Sequence, residues 1–126
     1  MNTEEVALKL VELCREGKWM EAVSTLYGDD IVSVEPRAMG EMPAEMRGLE
    51  AVKGKTQWFM DAHEVHGCTI TGPYVARDTF VVQFDIDVTD KASGERMQMG
   101  EVGVYTVKDG KVVREEFLPR AGGKSE

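Results

Sequence analysis

The sequence predicts an α+β fold: a curved antiparallel sheet wrapped around three N-terminal helices, forming a cone with a central pocket. Three observations carry this. Helical periodicity of apolar residues is confined to the first half of the chain. Two-residue alternation fills the second half, most cleanly over 79–89, where Phe80, Val82, Phe84, Ile86 and Val88 share one face and Gln83, Asp85 and Asp87 the other. Asp109-Gly110 is a strong hairpin signal between the last two strands. Helices first and an antiparallel meander last make a layered α+β pattern. A sheet with helices on one side must curl to bury its face, and the gap under the curl is a place for a pocket.

The elements follow in order. Asn2 and Glu5 have capping-box spacing, and Val6, Leu10, Leu13 and Cys14 recur at helical intervals until Gly17. A second helix carries Trp19, Ala22, Val23, Leu26 and Tyr27 and stops at Gly28. The β-branched run 31–35 reads as a short strand ended by Pro36, which has no N–H for a ladder. A loop over 36–48 holds Met39, Met42 and Met46; it is a lid on the pocket mouth, part of a dimer interface or a plain connection. A third helix runs from Leu49 to about Glu64, with Leu49, Val52, Thr56, Phe59 and His63 on one face. Strands are expected over 67–76, 79–89, 95–108 and 111–118.

At 126 residues the chain is one domain, expected over 1–120, with a flexible tail at 121–126. Against 15 basic residues stand 23 acidic ones, a net charge of −8. Such a surface repels phosphate backbones, so neither nucleic acid nor anionic membrane is an expected partner. No apolar run approaches the ~20 residues of a membrane helix, and no signal peptide is visible, so a cytoplasmic location is expected. Two cysteines, Cys14 and Cys68, make neither a disulfide framework nor a four-ligand zinc site. His63-Glu64-Val65-His66 lacks the i, i+4 histidine pair of a zinc helix. No cofactor motif and no metal site is expected.

The segments "LVELCREGKWMEAVSTLYGDDIVSVEP", "GLEAVKGKTQWF" and "GEVGVYTVKDGKVVREEF" together resemble the SnoaL-like family of the nuclear transport factor 2-like, or cystatin-like, superfamily, related to ketosteroid isomerases and polyketide cyclases. The likeness spans Thr3 to Leu118 and is closest to bacterial SnoaL-like proteins. It implies the cone fold. For function it is weak, because this fold hosts isomerases, cyclases, dehydratases, hydrolases and non-enzymes.

Glu35, before Pro36, occupies the place where the resemblance puts a general base. Proton abstraction beside a carbonyl needs a carboxylate in a partly dry cleft; the alternative is a solvent-facing glutamate at a strand end. Two parts of the isomerase pattern are missing: its oxyanion-hole tyrosine falls near Leu10 and its protonated aspartate near Gly103. Glu101 and Glu115 partly fill that gap. Met97, Met99, Glu101, Gly103, Tyr105 and Val107 share one face of their strand, and Val113, Glu115 and Phe117 one face of the next. If those faces point inward, two carboxyls enter an apolar pocket and one keeps its proton near neutral pH; the opposite register puts both in solvent. His63 is a proton shuttle or a helix cap. Tyr105, Trp58, Phe59 and Met99 are candidates to bind ligand, or simply core. Arg37, Arg96 and Arg114 are expected in surface ion pairs.

The expected function is a small-molecule pocket, run as a cofactor-free acid/base enzyme of isomerase, cyclase, dehydratase or hydrolase type on a small apolar carbonyl-like compound. The alternatives are a non-catalytic ligand-binding domain and a homodimeric interaction domain. A homodimer through the outer sheet face is expected in any case, with Val102, Val104, Val112 and Leu118 on that side.

Overall fold

The computed structural model describes residues 1–119; the expected tail at 121–126 lies outside the described residues. Helix α1 (Thr3–Arg15) starts from the reciprocal cap its sequence signals: the Asn2 side chain accepts from the Glu5 N–H at 2.8 Å, and the Glu5 side chain accepts from the Asn2 N–H at 2.9 Å. Helix α2 (Trp19–Leu26) completes the hairpin, and its buried Ala22, Val23 and Leu26 join those of α1 in the core. Tyr27, expected in this helix, is extended and opens strand β1 (Tyr27–Val34). The cause is long-range: Tyr27 pairs with Val112 in a parallel ladder, and this overrides the local helical pattern.

The loop at 36–48 holds an element not expected from the sequence, the edge strand β2 (Glu45–Arg47), in which Met46 pairs with Ser33. Helix α3 (Leu49–Ala62) ends two residues earlier than expected, because His63 and Glu64 are drawn into strand β3 (His63–Ala76), where they pair with Asp90 and Thr89. Strands β4 (Thr79–Asp90), β5 (Arg96–Lys108) and β6 (Lys111–Pro119) complete a six-stranded sheet of order β2-β1-β6-β5-β4-β3. All neighbours are antiparallel except β1 and β6, which run parallel. The meander from β3 to β6 is antiparallel as expected; β1, inserted beside β6, makes the whole sheet mixed.

The inner face of β4 is Phe80, Val82, Phe84, Ile86 and Val88, all buried. In β6 the alternation breaks. Thr106 pairs with Arg114 but Val107 pairs with Val112, so Val113 is an extra residue in a bulge. Val112, expected on the outer face, is therefore fully buried, and Val113, expected inward beside Glu115, is not in the core. No helix among the described residues is long and apolar enough to cross a membrane.

Candidate functional site

A cavity of about 160 Å³ lies between the sheet and the three helices. Leu10, Cys14, Trp19, Ala22, Val23, Phe84, Ile86, Met99 and Phe117 contribute its apolar walls. Its charged groups are Glu35, Lys55, Glu101 and Glu115.

Strand parity explains the acidic side. Ile31 and Ser33 are both fully buried on the inner face of β1, and Glu35, two residues on, keeps the same direction. On β5 the inner face runs through Met99, Glu101 and Tyr105. On β6 the bulge restores Glu115 to the inside. Against these strands α3 sets Lys55, whose side chain is 9% exposed, facing Glu35 at 13%.

The four residues Glu35, Lys55, Ser33 and Glu115 form a bonded chain that ends on Tyr27. Lys55 Nζ donates to Glu35 Oε2 at 2.8 Å and to Ser33 Oγ. Ser33 Oγ donates to Glu115 Oε2 at 2.6 Å, and the Tyr27 hydroxyl donates to Glu115 Oε1. Lys55 Nζ also lies 3.9 Å from Glu115 Oε2 and 5.4 Å from the centre of the Phe117 ring. A buried lysine between two carboxylates offsets its own desolvation and theirs, which is the condition for charges to persist inside a protein.

Glu101 differs. Burial pushes its carboxyl up to about 8, and the negative charges of Glu35 and Glu115 add to the rise, while Lys55 opposes it. At neutral pH it is mostly a carboxylic acid, able to donate a hydrogen bond. Burial also raises Glu115, against the pull of Lys55, Ser33 and Tyr27. The phenols of Tyr27 and Tyr105 are held well above the ordinary range by burial first and by the charge of Glu115 second, so both stay protonated. Cys14 is pushed up to about 12 by burial and behaves as a small apolar group.

Tyr105, Trp58, Phe59 and Met99 all line the cavity, as does Met39 from the loop after Glu35. Tyr105 stacks on Phe80 with centroids 4.7 Å apart. Its ring lies over Gly103, where a Cβ would come within 2.7 Å of it. Glycine at 103 thus makes room for the Tyr105 phenol on the wall where the isomerase pattern keeps an aspartate.

His63 does not join this site. It lies at the end of α3, outside the residues that line the cavity, where Nδ1 donates to the Phe59 carbonyl at 2.9 Å and the ring stacks on Phe59 at 4.3 Å. Its position past the last helical turn makes it a cap. Arg96 and Arg114 form exposed ion pairs with Asp87 and Glu116. Among the described residues no three His, Cys, Asp or Glu side chains are arranged to hold a metal ion.

Sequence reasoning missed Lys55, Ser33 and Tyr27. Lys55 had a signal: it stands three after Val52 and four before Phe59, inside the apolar stripe of α3. Ser33 had one too, by alternation between Ile31 and Glu35. Tyr27 was hidden by its placement in the preceding helix.

A family model for the SnoaL-like domain matches residues 1–118. Among solved structures, a Mesorhizobium loti protein provisionally named a SnoaL-like polyketide cyclase is 45% identical, with a TM-score of 0.86 over 94% of this chain and 99% of that one. An NTF2-like protein from Anabaena variabilis is 18% identical, with a TM-score of 0.77 over 99% and 94%. TerC, co-crystallised with polyporic acid, is 20% identical, with a TM-score of 0.73 over 94% and 92%. The last two share the fold. No curated protein matches the chain. With the family model covering nearly every described residue and the cone fold in place, the chain belongs to the SnoaL-like domain family.

Proposed function

We propose that the cavity carries out cofactor-free acid/base chemistry on a small apolar compound with a carbonyl-type oxygen. One observation carries the reading: a carboxylate held by a buried ammonium, Glu35 on Lys55, and a neutral carboxylic acid, Glu101, line the same largely apolar cavity. An ion-paired carboxylate beside a carboxylic acid is the pair that proton transfer needs. Glu35 is the base that takes a proton from the carbon beside the carbonyl. Glu101 is the acid that donates to the carbonyl oxygen as negative charge grows there, a stabilisation usually worth several kcal/mol. The Tyr105 phenol orients the substrate from the same strand. Glu115, bonded at both oxygens, positions Lys55 through Ser33 rather than meeting substrate. TerC was co-crystallised with an organic compound, which supports a small-molecule occupant for this fold here as well.

The test is exchange of α-protons of small ketones for solvent deuterium, followed by NMR. Glu35→Gln should remove the exchange, a loss of about 10²–10⁴-fold, and Glu101→Leu should lower it by about 10²–10³-fold. Exchange unchanged in Glu35→Gln would take that residue out of the role of base. Binding without exchange in the unaltered protein would leave a ligand-binding domain. We also propose a homodimer through the outer sheet face around Val102, Val104 and the exposed Leu118. Light scattering at micromolar concentration showing a monomer would remove it.

A further inference from the structure

The site's shape and charge narrow its ligand further than its chemistry does. A cavity of about 160 Å³ is below the ~300–1,000 Å³ of pockets for drug-sized ligands, and close to the ~150 Å³ that accommodates a benzene ring. Its walls include the rings of Trp19, Phe59, Phe84 and Phe117, which suit a flat apolar face. Its polar groups are not dispersed: Glu35, Lys55, Glu101 and Glu115 come from β1 and its end, α3, β5 and β6, which adjoin one another. Three carboxyls share one ammonium, and that ammonium already donates to Glu35 and Ser33. A second anion entering here would face carboxylates with the one buried cation taken.

Resting on the acid/base reading above, we infer that the substrate is a neutral one-ring compound carrying a single carbonyl group, and that the pocket rejects both carboxylates of the same shape and fused four-ring ketones. The ring occupies the apolar walls and the carbonyl oxygen meets Glu101. Size excludes the four-ring skeleton, and the charge of Glu35 excludes the anion.

Acetophenone and benzoate form a near-isosteric neutral and anionic pair, and a four-ring steroid ketone supplies the size control. Each is titrated into the full chain at about pH 6.5, with the methionine methyl groups watched by NMR. Acetophenone should give saturable shifts at Met99 and Met39. Benzoate should bind at least about tenfold more weakly, and the steroid should give no saturable shift. In Glu35→Gln, Lys55 is released to pair with the ligand, so benzoate should gain on acetophenone by about tenfold. Binding of benzoate as tight as acetophenone, tighter binding of the steroid, or no binding of acetophenone each overturns the inference. The two readings part cleanly. Acetophenone that binds without exchanging its methyl protons for deuterium defeats the acid/base reading and keeps the ligand class. Exchange on a larger ketone alone defeats the ligand class and keeps the acid/base reading.

Discussion

Two walls of the cavity hold carboxyl groups in opposite ways. On the β1–β6 side, Glu115 is bonded at both oxygens and linked through Ser33 to Lys55 and on to Glu35. On β5, the protonation of Glu101 is set chiefly by burial and by the charges of Glu35 and Glu115 across the cavity. The first wall is a structure whose members hold one another. The second is a group whose proton depends on the first. One fold thereby keeps a carboxyl paired with an ammonium, Glu35 on Lys55, and a neutral acid, Glu101, in the same largely apolar space.

Removing the cation should break the contrast most sharply. Lys55→Met leaves two buried carboxyls without their counter-charge and should lower unfolding free energy in urea by about 3–5 kcal/mol. Adding Glu115→Gln should recover a large part of that loss, since the two residues belong to one bonded chain. A cost under about 1 kcal/mol for Lys55→Met would mean that the chain does not hold the wall together. Tyr27→Phe removes one donor from Glu115 and should cost about 1.5–3 kcal/mol, the range for a hydrogen bond to a charged group. The same variant should raise Glu115 further, because the bond from Tyr27 is one of the influences holding it down; a carboxyl NMR titration would read this.

Glu101→Gln sharpens the other side, with the smallest effect at low pH. The folded protein holds this proton up to about 8, whereas the ordinary value is 4.5. Between those values the native state binds more protons than the unfolded one, so stability contributed by this group is present below about 4.5 and is lost as pH rises toward 8. Urea midpoints should therefore fall across that window. Glu101→Gln should be nearly silent at about pH 5 and should flatten the fall. An equally steep fall in the variant would assign the pH dependence to other groups.

Much of the fold was legible because its signals were local and redundant. The Asn2–Glu5 cap, the alternation of β4 and the Asp109-Gly110 turn each sit within a few residues and agree with their surroundings. What was not legible depends on distant partners. Tyr27 is a strand residue only because Val112 lies beside it, and β2 exists only because β1 offers an edge. The site divides the same way. Parity along a strand groups Glu101 with Met99 and Tyr105, and Glu35 with Ile31 and Ser33, which a sequence displays; which face turns inward is decided by the sheet. Lys55 had the right helical spacing, yet a lysine in an apolar stripe has meaning only when the acids opposite it are known. His63 had the spacing but sits past the end of its helix, where the next strand takes over.

The bulge at Val113 has a consequence for how this pocket acquires its sign. Were alternation to run on unbroken from the buried Val112, Arg114 would turn inward and Glu115 outward. The bulge, near a hairpin tip and outside the lining of the cavity, thus decides whether a strand of this length delivers an acid or a guanidinium to the interior. Loss of the Val113 codon would take residue and bulge away together and leave the acid inside, whereas a straightened strand of unchanged length would set a guanidinium beside Lys55 in its place.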